Sequence, residues 1–390
     1  MRIPGFTSTG SKRPEALFGP GAPRGLPVRF ARALGAEVWD GEGRKYLDFI
    51  MALGAVGLGY GHPAVNAAAH TAVDAGVVGP LPPELEERLA ERLAGLLPWM
   101  ERTRFLKTGA EAVAAALRLA RAQTKRDMVL RAGYHGWHDW SQEPGTLGVP
   151  AAVSALSEEL PFNDPEQGRS LIRGVGDRLA AVVIEPVIER PPTPEWLAML
   201  REETRRVGAL LVLDEIKTAF RIAVGGAAER YGIEPDLVVL GKALANGFPL
   251  AAVGGRRDVM EQARQTWISS TLATELVALA AADATLSVMV EQHVPDHLGR
   301  VGQRLFAGLE RLVSAYPETA AAVAGLPEMC FLRFTTDAAG IRLARLAAGR
   351  GLLFKRTGYN FVSLAHGEVE VDRGLGILED VCQEMRRPAS

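Results

Sequence analysis

The chain has 390 residues, of which 47% are hydrophobic, enough to bury a large core in two or three domains of ordinary size. Its 44 Lys and Arg residues and 46 Asp and Glu residues give a net charge of −2, with no run of like charges suited to nucleic acid or an anionic membrane surface. Cys330 and Cys382 have no metal-ligand spacing and support neither a disulfide framework nor a zinc site, so we expect a reducing compartment.

The N-terminal part of the chain predicts an arm followed by strands. No segment approaches about 18 uncharged apolar residues, and no apolar region follows the N-terminal charges, so we expect a soluble, cytoplasmic protein. The first 30 residues are rich in Gly, Pro and Arg without a sustained period, which predicts an extended arm laid over another part of the chain. From Glu37, the stretch EVWDGEGRKYLDF predicts two short strands around the turn 40–43.

The middle of the chain repeats a short apolar run, a polar residue at its end, and a helical stretch. Strands are predicted in RFL, AAVVI, ALLVLD and DLVVL, and a helix in AEAVAAALRLARAQ, where Val113, Leu117 and Ala120 lie at helical spacing. The strand runs are apolar on both faces, as in strands covered by helices on both sides. The pattern predicts an α/β architecture, with a mainly parallel sheet and helices on both faces.

The C-terminal part predicts a second, smaller domain. After Thr274 the chain becomes rich in Ala and Leu, which predicts a long helical segment through roughly Tyr316. Strand-like pieces, MCFLRF and FVSLAH, follow with a helical stretch between them. We therefore predict an N-terminal arm and strands that join the small domain over residues 1–49, a large domain over 50–285 and a small α+β domain over 286–390.

Ionisable residues follow several of the predicted strands, among them Glu185, Asp214 and Lys242. Ligands of open α/β sheets bind beyond the carboxyl ends of the strands, so we expect these residues to converge on one crevice. A lysine there can lose its proton easily and form a Schiff base, although on spacing alone a solvated lysine in a surface turn explains Lys242 as well. Asp214 could hold a pyridine nitrogen protonated, or else cap a helix or pair with the next loop.

Two further segments are candidates for cofactor contacts. Thr108–Ala110 stands where a helix begins, and free backbone N–H groups with a hydroxyl could bind phosphate there, although Thr before Gly is also an ordinary helix N-cap. In YHGWHD, Tyr134 could stack on a planar cofactor and His135 could hydrogen-bond to it. His135 and His138 have no Cys or carboxylate partner at ligand spacing, so a metal site is not favoured.

Taken in order, these motifs resemble those of the class III aminotransferases, and within them the glutamate-1-semialdehyde aminomutase-like branch. The resemblance runs from about Ile3 to Arg373 and is carried by the stretches VWDGEGRKYLDF, LGYGHPAV, LKTGAEAVAAALRLAR, YHGWHD, VVIEPV, LLVLDEIKTAFR, PDLVVLGKALANGFPLAAVGG, ISSTLATE and FVSLAH. The strongest match is DEIKTAFR followed by GKALANGFP, since members of the family have a similar spacing between the aspartate that pairs with the cofactor's ring nitrogen and the lysine that binds the cofactor. The resemblance implies a fold type I transferase dependent on pyridoxal 5'-phosphate (PLP).

The resemblance also implies roles for individual residues. Lys242 would hold the cofactor as a Schiff base and move protons at the substrate carbon, while Asp214 would pair with the ring nitrogen. Tyr134 and Ile216 would lie against opposite faces of the ring, and Thr271 would reach the phosphate of the neighbouring subunit, which implies a homodimer. The full set expected at the cofactor is Thr108, Gly109, Ala110, Tyr134, His135, Glu185, Asp214, Ile216, Lys242 and Thr271.

Two stretches depart from the aminomutase pattern. Aminomutases of this family carry a longer glycine-rich segment before the phosphate threonine, part of which is a mobile lid, whereas GGRRDVMEQARQTWISST is short and has one glycine pair. A Ser-Pro-Val-Arg-type stretch that helps bind the substrate carboxylate is replaced by STGSKRPEALF. Arg13 and Arg24 remain as candidates for an anion contact, beside the alternative that both are solvated arginines of the arm.

We therefore predict an aminotransferase that moves an amino group from a donor, such as glutamate, to a carbonyl acceptor by a ping-pong mechanism. The alternatives are a 2,1-aminomutase and a catalytically silent family member with a structural role. The segments Met51–Val56, Trp137–Trp140 and FVSLAH offer mostly apolar side chains. They favour an acceptor larger and less anionic than glutamate semialdehyde, as in a specialised biosynthetic route, unless these residues only pack the core.

Overall fold

The computed structural model describes residues 2–21 and 25–387, so Arg24 lies outside the described residues. The helices are α1 (Pro14–Phe18), α2 (Met51–Gly54), α3 (Pro63–Asp74), α4 (Glu84–Leu96), α5 (Gly109–Thr124), α6 (Ala151–Ser154), α7 (Pro165–Val175), α8 (Pro194–Val207), α9 (Gly226–Tyr231), α10 (Arg257–Met260), α11 (Leu276–Glu291), α12 (Val294–Ala315), α13 (Asp337–Gly349) and α14 (Glu368–Arg386). The strands are β1 (Phe30–Leu34), β2 (Glu37–Asp40), β3 (Lys45–Asp48), β4 (Arg102–Leu106), β5 (Met128–Ala132), β6 (Ser157–Glu159), β7 (Leu179–Ile184), β8 (Leu210–Asp214), β9 (Leu237–Leu240), β10 (Ala251–Gly255), β11 (Ala320–Leu326), β12 (Met329–Phe334), β13 (Leu352–Leu353) and β14 (Asn360–Phe361). Within the described ranges, no helix combines the length and apolarity needed to cross a bilayer.

The chain divides into two compact units, residues 1–62 with 296–390 and residues 63–295. The larger unit, 63–295, contains a seven-stranded sheet of order β4-β10-β9-β8-β7-β5-β6. Strand β10 runs antiparallel to both β4 and β9, whereas the other neighbouring strands pair in parallel. Strands β7, β8 and β9 are buried along their whole length, which is why they are apolar on both faces. The predicted α/β architecture with a mainly parallel sheet is confirmed.

Helix α5 packs across this sheet through the side chains that the sequence places at helical spacing. Val113, Leu117 and Ala120 are fully or almost fully buried, in one core with Val212 and Val239 of the central strands. Burying such side chains stabilises the unit by roughly 1.5–3 kcal/mol for each large aliphatic one. The helix begins after two residues that follow β4, so its first turn lies at the carboxyl edge of the parallel strands.

The smaller unit contains two sheets, of order β1-β2-β3-β13 and β11-β12-β14. The two strands predicted around the turn 40–43 are β2 and β3, which pair antiparallel. The Asp40 carboxylate closes this turn by accepting the backbone N–H groups of Glu42 and Arg44, both at 3.0 Å. This short turn sets the register of the hairpin.

The N-terminal arm is not wholly extended as expected, since it contains the short helix α1. Pro14 occupies the first helical turn, where its missing N–H costs no hydrogen bond. Phe18 at its end is buried against Ala344 and Ala348, and its carbonyl accepts the Arg345 Nε–H at 2.7 Å. The arm therefore lies over α13, a part of the same unit.

Two C-terminal predictions need correction. The helical segment expected from Thr274 to Tyr316 is two helices, α11 and α12, because His293 between them adopts a left-handed φ of 48° and ends the first helix. The FVSLAH stretch contributes only its Phe361 to the two-residue strand β14. The chain then turns, because the buried His366 ring accepts the Ser363 backbone N–H at 3.1 Å.

Candidate active site

The carboxyl ends of neighbouring strands bring most of the predicted residues to one edge of the sheet in the larger unit. Asp214 is the last residue of β8, Glu185 directly follows β7, and Lys242 comes two residues after β9. Tyr134 and His135 follow β5 by one intervening glycine. Strands β5, β7, β8 and β9 are parallel neighbours, so these side chains leave the sheet on the same side.

Lys242 has two unusual properties. Its backbone φ is 45°, a left-handed conformation that costs of order 1–3 kcal/mol for a residue with a Cβ and that persists only where the surrounding fold enforces it. Desolvation lowers the pKa of its side-chain amine to about 8, since the charged ammonium loses hydration. Two carboxylates, Glu185 and Asp214, raise the Lys242 pKa and so oppose this effect. Two cations, Lys217 and Arg221, lower it further.

Asp214 and His135 form a buried pair. The Asp214 Oδ2 lies 2.8 Å from the His135 Nδ1, and the two side chains are 3% and 0% exposed. The other ring nitrogen, Nε2, lies 3.2 Å from the Ala132 carbonyl oxygen. The other Asp214 oxygen accepts the Ile216 N–H at 3.2 Å. The carboxylate is thus fixed in orientation at the end of its strand.

Glu185 is held between two neighbours. Its Oε1 lies 3.0 Å from the Lys217 Nζ, and its Oε2 accepts the Tyr134 backbone N–H at 3.0 Å. Burial would raise the pKa of Glu185, but the charge of Lys217 and the N–H donor outweigh it and lower the pKa below its usual range. Gly133, at φ 104°, has no room for a side chain because a Cβ would lie 2.7 Å from Oε2. Glu185 is therefore an ionised and immobile carboxylate.

The start of α5 is a helix N-cap and also suits an anion, which are the two alternatives that its sequence left open. The Thr108 hydroxyl caps the helix by accepting the Glu111 N–H at 3.2 Å, and the Glu111 carboxylate accepts the Thr108 N–H at 2.9 Å. Gly109 and Ala110 follow in the first turn, where N–H groups have no intrahelical acceptor and carry the positive end of the helix dipole. The backbone of this turn is therefore a suitable anion site even with the threonine engaged in the cap.

Ile216 lies in a cradle formed by two glycines. A Cβ at Gly109 would lie 2.6 Å from the Ile216 Cδ1, and one at Gly241 would lie 3.5 Å from its Cγ2. Only a residue without a side chain fits at the first position without displacing the isoleucine. The cradle places an apolar surface next to Asp214, whose carboxylate accepts the Ile216 N–H.

Not every predicted residue joins this group. Tyr134 is 71% exposed, and its backbone rather than its phenol ring makes the contact with Glu185. Thr271 is an exposed residue of the turn after the helical segment 257–264, between the exposed side chains of Trp267 and Leu272. Arg13, the described anion candidate, is exposed in the smaller unit, with its guanidinium next to Gly5.

The segments expected to select the substrate are only partly exposed. Met51, Val56, Trp140 and His366 are buried, which favours the alternative that they pack the core. Trp137 is 73% exposed. Residues 51–53 adopt left-handed φ angles of 45°, 50° and 61°, so this turn is strained in the same sense as Lys242.

Sequence reasoning missed Lys217, the partner of Glu185. It lies inside the quoted DEIKTAFR stretch and is 8% exposed. The available signal was a lysine only three residues after the apolar strand run that ends in Asp214. Glu215, which follows Asp214 at the end of β8, accepts the Ala227 and Ala228 N–H groups at 2.9 and 2.7 Å and so fixes the start of α9.

Comparison with known proteins gives concordant matches over most of the chain. The family model "Aminotransferase class-III" matches residues 21–380. The glutamate-1-semialdehyde 2,1-aminomutase of Thermomicrobium roseum is 36% identical over 395 residues, which cover 93% of this chain and 92% of that protein. The FumI protein of Sphingopyxis sp. MTA144, solved in a PLP form, is 28% identical with a TM-score of 0.89 over 95% of this chain and 91% of that one. An omega-transaminase from Sphaerobacter thermophilus is 27% identical with a TM-score of 0.87 over 99% and 95%.

Proposed function

Because the chain belongs to the class III aminotransferase family, whose solved relatives include PLP-bound enzymes, we propose that it moves an amino group from an amino donor to a separate carbonyl acceptor. The observation that carries the proposal is the meeting of Lys242, the Asp214–His135 pair and the first turn of α5 at one edge of the sheet. Such chemistry needs a base, a carboxylate that pairs with a protonated ring nitrogen, and an anion site, and these three features supply them.

The residues at this edge fit PLP. The first-turn N–H groups of α5 suit its phosphate, and the fixed Asp214 carboxylate suits a protonated ring nitrogen. The cradled Ile216 offers an apolar surface for a ring face, and the amine of Lys242 suits the aldehyde. When bound, the cofactor supplies an electron-withdrawing ring that stabilises negative charge at the substrate carbon.

The chain's own residues supply the proton transfers and the orientation. An amine whose pKa is lowered to about 8 can accept a proton and return it near neutral pH, so Lys242 is the proposed base at the substrate carbon. Asp214 would keep a proton on the ring nitrogen, and His135 would hold the carboxylate in place through its Nδ1–H. Glu185, fixed by Lys217 and the Tyr134 N–H, would keep the backbone of the aromatic residue in position.

The segment before Thr271 supports a transferase over an aminomutase. It forms α10 and a 3-10 turn, and its Val259, Met260 and Ile268 are buried in the core shared with α5. A segment anchored in this way is a poor candidate for the mobile lid that would retain a freed intermediate. The aminomutase remains the second candidate, and the printed name of the Thermomicrobium roseum relative favours it.

Product analysis separates the two reactions. With an amino donor such as glutamate alone, we expect about one equivalent of keto acid per active site, with the amino group left on the enzyme until an acceptor is added. A panel of keto acids and aldehydes then identifies the acceptor, and Lys242→Ala serves as the inactive control. Faster conversion of glutamate semialdehyde to 5-aminolevulinate than of any donor and acceptor pair would contradict the transferase assignment.

We also propose that the enzyme is a homodimer whose active sites include Thr271 from the second copy. Trp267, Leu272 and Leu81 are large apolar side chains that are 88%, 52% and 78% exposed, and a group of such side chains on a surface is typical of an interaction site. The Leu276 N–H donates to the Val77 carbonyl at 2.8 Å and so links the loop after α3 to the end of the Thr271 turn. A second copy of the chain would cover this surface.

For the acceptor, we propose a carbonyl compound larger and less anionic than glutamate semialdehyde. The exposed ring of Trp137 supports an apolar contact. The same panel of acceptors tests this proposal: a preference for small dicarboxylic keto acids would contradict it.

A further inference from the structure

Lys107, the residue between β4 and the N-cap of α5, forms an ion pair to which the proposed reaction gives no role. Its Nζ lies 2.7 Å from the Glu275 Oε1, and the two side chains are 15% and 11% exposed. Charges so far removed from water are costly unless they are paired and hydrogen-bonded. The pair joins two segments of the larger unit that are 168 residues apart in the sequence.

On one side, Lys107 belongs to the structure that begins α5. Its backbone N–H donates to the Glu111 Oε2 at 3.1 Å, and the same oxygen accepts the Thr108 N–H at 2.9 Å. A displacement of Lys107 would therefore disturb the capping of the first turn of α5. The backbone of that turn is the proposed anion site.

On the other side, Glu275 is the N-cap of α11 and ends the turn that contains Thr271. Its Oε2 accepts the Val277 N–H at 2.7 Å, and its Oε1 accepts the Ala278 N–H at 3.0 Å. Its own N–H donates to the Leu272 carbonyl at 3.3 Å. Fixing Glu275 therefore fixes the C-terminal end of the Thr271 turn.

The other end of this turn is also held by β4. The Arg104 Nε–H donates to the carbonyl of the buried Ile268 at 2.6 Å. Residues 269–272, between the two anchors, are exposed. Two cations three positions apart, Arg104 and Lys107, thus hold both ends of an exposed turn, and the strand that ends beside them leads into α5.

We propose that Lys107 is a positioning residue, whose ion pair with Glu275 holds the Thr271 turn in a fixed place relative to the first turn of α5. This inference rests on the proposed function in one respect, namely that both segments contact the phosphate of PLP. Lys107 acts through Glu275 and touches neither the substrate nor the reacting atoms. In the proposed homodimer, each chain gives its α5 turn to one site and Thr271 to the other, so the pair links the two sites.

Two readouts test the proposal, one without cofactor and one with it. In the cofactor-free protein, amide hydrogen exchange of a peptide that covers residues 268–275 should be about tenfold faster in Lys107→Met than in wild type, because the turn loses an anchor. The Kd for PLP, measured by quenching of Trp fluorescence, should rise about tenfold. The Kd for pyridoxal, which lacks the phosphate, should change by less than about threefold, whereas a general loss of structure would weaken both ligands alike.

Glu275→Gln separates positioning from a direct attraction between the Lys107 charge and the phosphate. The amide keeps an acceptor for the α11 cap but removes the charge, so positioning predicts a rise of about tenfold in the Kd for PLP. The double variant Lys107→Met with Glu275→Gln should lose no more than either single variant, and it leaves no unpaired charge should a single variant fold poorly. Lys107→Arg keeps the cation and should stay within about threefold of wild type.

Arg92→Met is the matched control, because it removes another ion pair of α11. The Arg92 Nη1 lies 2.7 Å from the Asp283 Oδ1, and its loss should leave both readouts unchanged. Unchanged exchange in Lys107→Met, unweakened PLP binding in Glu275→Gln, or equal weakening of PLP and pyridoxal would overturn the proposal. Exchange needs no cofactor, so a wild-type protein that fails to bind PLP would refute the proposed function and leave exchange to decide the role of Lys107.

Discussion

Replacing His135 with Ala should destabilise the protein far more than removal of an ordinary side chain, because it leaves Asp214 buried without its partner. The side chains of the pair are 0% and 3% exposed and 2.8 Å apart. A hydrogen bond to a charged group contributes about 1.5–3 kcal/mol, and a buried acceptor left without its donor costs a similar amount. The Ile216 N–H stays on the other oxygen, so we expect a loss of about 2–3 kcal/mol.

A double-mutant cycle isolates this interaction. Asp214→Asn removes the charge and keeps the shape, so His135→Ala should cost much less in that background, with a coupling free energy of about 2 kcal/mol or more. Urea unfolding of the four cofactor-free proteins, followed by circular dichroism and Trp fluorescence, supplies the free energies where both signals coincide. His138→Ala, three residues away and partly exposed, is the matched control and should change stability by less than about 0.5 kcal/mol. Additivity of the two substitutions within about 0.5 kcal/mol would refute the pairing argument.

Three further predictions follow from the structure. Lys242→Ala should lose the visible absorbance that borohydride bleaches, together with all turnover, and persistence of either would exclude Lys242 as the cofactor-binding base. Mixing inactive Lys242→Ala with Thr271→Asp should restore activity if the two residues come from different subunits, since one site of each mixed dimer is intact, whereas no recovery would place each site within one chain. Hydrogen bonding to Arg173 lowers the pKa of the buried Glu203 to about 2. Its stabilising contribution is therefore complete above the unfolded value of about 4.5 and is lost as the pH falls towards 2. Glu203→Gln should thus lower Tm at neutral pH, and a gap from wild type that persists at about pH 2 would contradict this.

The sequence could predict the sheet edge because two independent signals coincide there. Runs such as ALLVLD are apolar at every position, which is typical of a strand covered on both faces, and each ends in an ionisable residue. The rule that ligands bind at the carboxyl ends of parallel strands then groups Glu185, Asp214 and Lys242 without any knowledge of strand order. The structure brings all three to that edge.

Pairings across strands could not be predicted in the same way. Lys217 meets Glu185 only because β7 and β8 are neighbours in register, and His135 reaches Asp214 across β5, β7 and β8. A single sequence carries no record of register. The break between α11 and α12 depends on one residue, His293, which adopts a left-handed φ. The sequence around it is rich in Ala and Leu and therefore predicts one continuous helix.

The position of β10 determines when this protein can acquire its site during synthesis. β4 is at the edge of the sheet, and it pairs with β10, whose residues are made roughly 150 positions later. Until the ribosome has released Gly255, the strand that carries the start of α5 has no neighbour to hold it, although β5, β7, β8 and β9 can already pair. A nascent chain that stops just after Lys242 would thus present the lysine and the aspartate while the strand before α5 is still unpaired. We therefore expect the anion site to be completed only once the antiparallel strand is inserted.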